Sequence, residues 1–257
     1  MNKKRKRSLK ASVIYFLVLV TLSLAAYGYK TLETFFQESM SSFELDDIVI
    51  EGNNILSRRD VLRLCGLKEN EKKLLEISPR KIVVKLLKSP YIKSASAVRS
   101  LPSTLHIEII ERNMVAFIYG KGLNLIDDEG ILLPVPKSNR RWNLPFIVHS
   151  GRAIGQLGKQ ASLTEIQRAV QVLNYINILK SSLTDLIAEI SIVKNSDVRL
   201  RLVKGGSEVR IKYSNYQKDL FLLSEYLQVY QDWNELADIE YIDMRFNNQF
   251  IIKEKKG

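Results

Sequence analysis

Residues 11–29 read ASVIYFLVLVTLSLAAYGY, with Lys10 before them and Lys30 after them, and hold no ionisable acid or base. A helix of this length spans roughly 28 Å, about the hydrocarbon thickness of a bilayer. The run is apolar all round rather than on one face, which argues against a core helix of a soluble domain. A cleaved signal peptide shares the basic head and apolar middle, and Ser23, Ala25 and Ala26 offer small residues for cleavage. The run is longer than a signal core, however, and Tyr27 and Tyr29 suit an interfacial anchor, so we read a retained transmembrane helix.

Working outward, residues 1–10 form a basic tail with Lys3, Lys4, Arg5, Lys6, Arg7 and Lys10 and no acid. Positive charge beside a span stays cytoplasmic, which places the tail inside and everything after Lys30 outside the cytoplasm. The tail also explains most of the formal charge of +11: without it, 33 basic residues face 28 acidic ones, or +5. Such a balance is poor support for nucleic-acid binding. Cys65 is the single cysteine, so no intrachain disulfide forms, and it reads as a small buried apolar residue.

On the far side, residues 30–42 have helical composition and end in serines, a short stalk. Phe43, Leu45, Ile48 and Ile50 suggest a strand closed by a Gly52-Asn53-Asn54 turn. Ser57 with Asp60 three residues on predicts a helix N-terminus, Val61, Leu62, Leu64 and Cys65 its apolar stripe, and Gly66 its end. Ser78-Pro79 predicts a second start, Ile82, Val83, Leu86 and Leu87 the buried face, and Pro90 the stop. Residues 92–99, a Leu101-Pro102 turn and residues 104–111 follow, with Leu105, Ile107 and Ile109 alternating against His106 and Glu108. The order is β-α-α-β-β.

These residues resemble a known family. Ile48-Val49-Ile50-Glu51-Gly52-Asn53, Pro90 to Ala95, Val98-Arg99-Ser100-Leu101-Pro102 and Ile109-Ile110-Glu111-Arg112, running on into Met114-Val115-Ala116-Phe117, are similar to the POTRA domain of the bacterial cell-division proteins FtsQ/DivIB. Met114 stands where that family usually has Pro. The resemblance implies an α+β architecture: one transmembrane helix, a POTRA domain over 43–112, and a mixed β-rich domain with helices over 113–257.

Residues 123–134 predict a hairpin turning at Asp127-Asp128-Glu129-Gly130, similar to the family's aspartate-x-x-glycine turn. Leu144 to Val148 reads as a short strand, and Ser162 with Glu165 as a capping box opening a helix to about Lys180. Strands are expected over 187–193, 198–203 and 209–213, the last two with arginines and Lys212 on one face. That face is the expected look of a solvated sheet, with an acidic-partner patch as the alternative. A helix follows from Tyr216 to Tyr230. Residues 239–246 then alternate into Asn247-Asn248, and Phe250-Ile251-Ile252 follow.

The closing strand pair resembles the family's aspartate-x-arginine-aromatic segment, where by resemblance the FtsB/FtsL-like coiled-coil pair docks by adding a strand to the sheet edge. Carried over by position, this implies partner-binding roles for Tyr241, Asp243, Arg245, Phe246, Asn248 and Gln249, with Gln249 standing where the family often has Gly. The residues alone leave a plain core strand open as the other reading. The resemblance further implies a division scaffold in the inner membrane, its bulk periplasmic and gathered at the septum; a POTRA-bearing assembly or secretion factor binding client strands is the alternative. No catalytic, cofactor or metal constellation is read: His106, His149 and Cys65 lack zinc spacing, Gly120-Lys121-Gly122 lacks the Walker spacing, and Asp46-Asp47 and Asp127-Asp128-Glu129 suit strand and turn. Neither an enzyme nor a small-molecule substrate is expected.

Overall fold

The computed structural model describes residues 3–41, 43–67, 74–136, 141–181, 183–193, 197–229, 235–246 and 249–255, with side chains left undescribed at 3–14, 36–41, 228–229 and 235. The chain divides into two compact units, residues 1–88 with 94–110 and residues 89–93 with 111–257.

In the first unit, helix α1 (Lys3–Ser41) is continuous over 39 residues, about 58 Å at 1.5 Å per residue. Within it, Tyr15–Phe35 is long and apolar enough to cross a membrane, overlapping the 11–29 reading, and side chains such as Leu19 and Leu24 stand exposed. The stalk is therefore helical up to Ser41.

The small domain that follows has strands β1 (Asp47–Glu51), β2 (Ile92–Ser100) and β3 (Thr104–Glu111) in the order β1-β3-β2, with β1 parallel to β3. Strand β1 starts later than the apolar pattern suggests, because the amides of Asp46 and Asp47 are drawn to the Ser103 carbonyl. Helix α2 (Arg58–Cys65) begins with a complete capping box: Asp60 N–H donates to Ser57 Oγ at 3.2 Å, and Ser57 N–H donates back to the Asp60 carboxylate at 3.3 Å. Its end is capped by Gly66 in the left-handed region, and Lys85 Nζ donates to the Cys65 carbonyl at 2.6 Å. Helix α3 (Pro79–Leu86) starts where predicted, but Ser78 makes no side-chain cap bond; Pro79 at the first position, its φ preset, supplies the start instead. Val61, Leu62, Cys65, Ile82 and Leu86 of the helices and Leu105, Ile107 and Ile109 of β3 are among the buried apolar side chains. The polar loop read after Gly66 (68–73) lies outside the described residues.

Among the described residues, the second unit is built on a mixed sheet of nine strands: β4 (Met114–Tyr119), β5 (Leu123–Asp127), β6 (Leu132–Pro134), β7 (Phe146–Val148), β8 (Ile187–Ile192), β9 (Asp197–Leu202), β10 (Glu208–Lys212), β11 (Ile239–Phe246) and β12 (Gln249–Glu254). Their spatial order is β12-β11-β10-β9-β8-β7-β4-β5-β6. Helices α4 (Thr164–Leu179) and α6 (Tyr216–Val229) cover one face, and the short helices α5 (Leu183–Leu186) and α7 (Glu235–Asp238) lead into β8 and β11. The hydrophobic core of this unit includes Ile118, Ile166, Ile190, Leu200, Leu223 and Ile242 among its closed side chains. Each of those residues is the inward member of an alternating strand or a helix stripe.

Two features differ from the sequence pattern. Strand β7 pairs in parallel with both β4 and β8, so the helix between β7 and β8 is a crossover rather than a hairpin insertion. The box read at Ser162 is not formed: the helix starts at Thr164, Ser162 Oγ donates to the Ala153 carbonyl, and Glu165 accepts instead from Ser150 N–H at 2.9 Å and Ser150 Oγ at 2.7 Å. Glu165 thereby ties the preceding glycine-containing loop to the helix.

Candidate functional site

A sheet of nine strands has two edges, and they are handled differently. Edge strand β6 is three residues long, carries Pro134, and is overlaid by the following chain: Leu132 N–H donates to the Lys159 carbonyl, Gly158 N–H to the Leu132 carbonyl, and Tyr91 Oη to the Pro134 carbonyl. This is how an edge is closed to further pairing. At the other edge, strand β12 pairs with β11 on its inner side, and among the described residues no strand lies on its outer side.

The docking residues expected on the closing strand pair fall on both of its strands. Tyr241, Asp243, Arg245 and Phe246 belong to β11, which is hydrogen-bonded to β10 on one side and β12 on the other. Gln249 opens β12 opposite Phe246, and Asn248, with the Asn247-Asn248 turn, lies outside the described residues.

Asp243 and Arg245 are committed to each other. The Arg245 guanidinium donates from Nε to Asp243 Oδ1 at 2.9 Å and from NH2 to Oδ2 at 2.6 Å, a side-on two-bond pair, while NH1 reaches Asp197 Oδ2 at 2.7 Å. The strand register shifts between Asp243 and Phe246, and the Arg245 amide there donates to Asp243 Oδ1 at 3.1 Å. A bulge frees a backbone amide, and the aspartate two residues earlier satisfies it, which gives the aspartate-x-arginine pattern a structural reason. Hydrogen bonds from Arg245 hold the buried Asp243 carboxyl below the usual carboxylate range, and the two aspartates keep the guanidinium charged.

Tyr241 is half-buried between cations: the Arg210 guanidinium lies 4.3 Å from its ring centre and Lys253 Nζ 5.6 Å. Phe246 is half-exposed at the strand end. The arginine face predicted for β9 and β10 is balanced by acids on the same sheet: Arg210 meets Glu208 at 2.5 Å, Arg201 meets Glu189 at 3.4 Å, and Arg199 approaches Glu208 at 4.0 Å. That lattice is what a solvated face looks like, rather than a field aimed at an acidic partner.

Beyond Gln249, the expected docking set stops short of the rest of β12. Phe250, Ile251 and Ile252 are 37%, 41% and 40% exposed, three consecutive apolar side chains at a sheet margin. Phe250 meets Tyr226 edge-to-face at 6.1 Å and so faces the helix layer. The strand is anchored at its far end by Lys255, whose amide donates to the Asp238 carbonyl at 2.7 Å and whose Nζ donates to the carbonyls of Gly205 and Ala237 at 2.7 and 2.6 Å. Because the Lys255 amide turns inward, strand alternation turns the amides of Lys253 and Ile251 inward too. The backbone groups of Phe250, Ile252 and Glu254 therefore face outward. The usable signal in the sequence was an unalternating apolar triplet followed at once by lysines, the dress of a guarded edge.

Among the described residues no group of three or more His, Cys, Asp and Glu side chains gathers to hold a metal ion. His149 instead bridges loops: Gly151 N–H donates to its Nδ1 at 3.2 Å and its Nε2 lies 2.6 Å from the Tyr119 carbonyl.

Two family models match the chain. One described as "POTRA domain, FtsQ-type" covers residues 43–112, and one described as "Cell division protein FtsQ/DivIB, C-terminal" covers residues 116–245. The chain is 24% identical over 241 residues to the cell division protein FtsQ of Syntrophotalea carbinolica, covering 92% of this chain and 84% of that protein. It is 24% identical over 263 residues to FtsQ of Koribacter versatilis, covering 98% and 72%. It is 30% identical over 103 residues to the cell division protein DivIB of Clostridium acetobutylicum, covering 40% and 41%. With a helix able to anchor it, a POTRA domain and a β-rich domain matched along most of their length, this chain belongs to the FtsQ/DivIB family of bacterial cell-division proteins.

Proposed function

We propose that the protein is a membrane-held scaffold of the division septum, its tail cytoplasmic and its two folded units outside, and that it docks a partner by taking an added strand along β12. The observation that carries this reading is the asymmetry of the edges: β6 is three residues long and covered, whereas β12 is six residues long, carries an apolar triplet and is anchored by Lys255. An added strand draws affinity from main-chain bonds to Phe250, Ile252 and Glu254 and selectivity from the side chains beside them. Phe246 and Gln249, paired at one end of the β11–β12 ladder, serve as contact residues, and the resemblance extends that role to Asn248, which lies outside the described residues. Asp243 and Arg245 act by fixing the bulge that sets the strand's path, and Tyr241 by stacking beneath it.

The partner is the FtsB/FtsL-like coiled-coil pair, or its equivalent in the same membrane. Sharing a membrane raises the local concentration of both components, so a modest edge suffices for occupancy. The positive tail and the apolar run support the stated orientation. The test is a Phe246→Arg variant of the full chain, followed by partner pull-down and fluorescent imaging in dividing cells. Loss of pull-down with the mid-cell ring retained by the parent supports the reading. Undiminished pull-down overturns the docking assignment, and a uniform peripheral signal from the parent overturns the septal one.

A further inference from the structure

The second unit holds a groove of about 920 Å³ remote from β12 in the sheet order, and the strand topology explains why it is there. Strands β4 and β7 lie side by side and parallel, with Phe117 opposite Phe146 and Ile118 opposite Ile147. After β4 the chain turns back into β5 on one side; after β7 it runs to α4 and β8 on the other. Chains leaving adjacent parallel strands in opposite directions open a crevice at the carboxyl ends of those strands, the general position of binding sites in such sheets.

The crevice is formed rather than collapsed because its walls are pinned. His149 spans from Gly151 to the Tyr119 carbonyl, Glu165 holds Ser150, and Asn124 donates to the Gly122 carbonyl at 2.9 Å. Its floor is apolar: Phe146 and Val148 are 42% and 48% exposed, with Phe146 stacked on Phe117 at 5.2 Å, and Tyr119 is 67% exposed beside them. Its charged lining is of one sign. Lys121 and Arg152 border it, both exposed, and no carboxylate lines it among the described residues. The nearby Glu165 is hydrogen-bonded by Ser150 and also feels the Arg152 charge, which stays exposed at the rim.

From this combination we infer that the crevice is a second docking site, for a short extended peptide segment of another protein that carries acidic residues around an aromatic or large apolar side chain. An aromatic side chain seats on Phe146 and Val148, and flanking carboxylates meet Lys121 and Arg152. Exposed aromatic floor beside exposed cations is the composition that anchors a peptide through one buried side chain and a charged rim.

The experiment uses the full chain in lipid nanodiscs and a fluorescein-labelled, N-acetylated Glu-Phe-Glu-Phe-Glu peptide read by fluorescence anisotropy. The inference expects saturable binding, weakened at least tenfold by the exposed double reversal Lys121→Glu with Arg152→Glu and at least fivefold by Phe146→Ala. It expects little binding of Glu-Ala-Glu-Ala-Glu or Lys-Phe-Lys-Phe-Lys, and unchanged affinity in an Ile252→Pro chain, which keeps this site separate from the β12 edge. Equal affinity of parent and double reversal, or equal binding of the lysine peptide, overturns it. So does full displacement by millimolar inorganic phosphate alone, which would make the crevice a simple anion site, or concentration-dependent self-association abolished by the same reversal, which would make its occupant a second copy of this chain.

Discussion

Replacing Ile252 with proline removes one outward-facing amide while leaving the inward ladder to β11 in place. The side chain is 40% exposed and opposite Ile242, so the lost apolar contact costs the fold about 1 kcal/mol. Proline is tolerated on an edge strand where its missing N–H faces solvent. For an added strand the loss is larger. One main-chain bond worth about 1 kcal/mol disappears, and the partner's carbonyl is left without a donor at a similar cost, together about 2 kcal/mol. At 1.4 kcal/mol per tenfold, this is a roughly 30-fold rise in Kd for the partner. Lys253→Pro is the matched control. Its amide faces β11, so the ring breaks the ladder and the variant should lose about 2–3 kcal/mol of stability. Thermal unfolding and partner titration of both variants in nanodiscs check this. The reasoning is refuted if Ile252→Pro binds the partner as the parent does, or if it destabilises the fold more than Lys253→Pro.

Three further outcomes are expected. Gly52 has φ +82°, and a Cβ there would lie 1.8 Å from the Ile109 carbonyl oxygen, so Gly52→Ala should destabilise the POTRA domain by roughly 3 kcal/mol, seen as a fall of its unfolding midpoint by ten degrees or more. Arg245 depresses the Asp243 carboxyl in the folded state, so the pair's contribution is complete above the ordinary carboxylate pKa and fades as pH falls below it; Asp243→Asn should cost about 2 kcal/mol at neutral pH and flatten the acid limb of a stability–pH curve. Burial pushes the Cys65 thiol up to about 11, so the folded chain at pH 8 should react with a thiol reagent far more slowly than the urea-unfolded chain, measured by absorbance of the released chromophore.

Local features of the fold were legible because local chemistry decides them. The Leu105-Ile107-Ile109 alternation, the Ser57–Asp60 box, the Gly66 cap and the Asp127–Gly130 turn each depend on residues within a few positions. Asp127 shows both levels: its Oδ1 accepts the Glu129 and Ile131 amides inside the turn, as its spacing suggests, while Oδ2 takes the Arg112 guanidinium at 2.7 Å from the preceding segment. What the residues could not show is order across the sheet. An alternating strand looks the same at an edge and one place inside it, so Tyr241, Asp243, Arg245 and Phe246 alone do not show that β11 is flanked by β12. Glu165 fits a helix cap by its spacing to Ser162; the competing donors on Ser150 come from a loop whose approach no spacing encodes. The parallel pairing of β7, and with it the crevice at its end, likewise depends on which strands meet rather than on their composition.

The most direct measurement is residue-resolved amide hydrogen exchange of the nanodisc-held chain, alone and with its coiled-coil partner pair. The account predicts that the amides of Phe250, Ile252 and Glu254 exchange freely alone and become protected together on binding, while those of Ile251 and Lys253 are protected in both states. Protection that fails to rise at these alternate positions, or that appears only on β11 or elsewhere in the domain, would contradict strand addition at this edge.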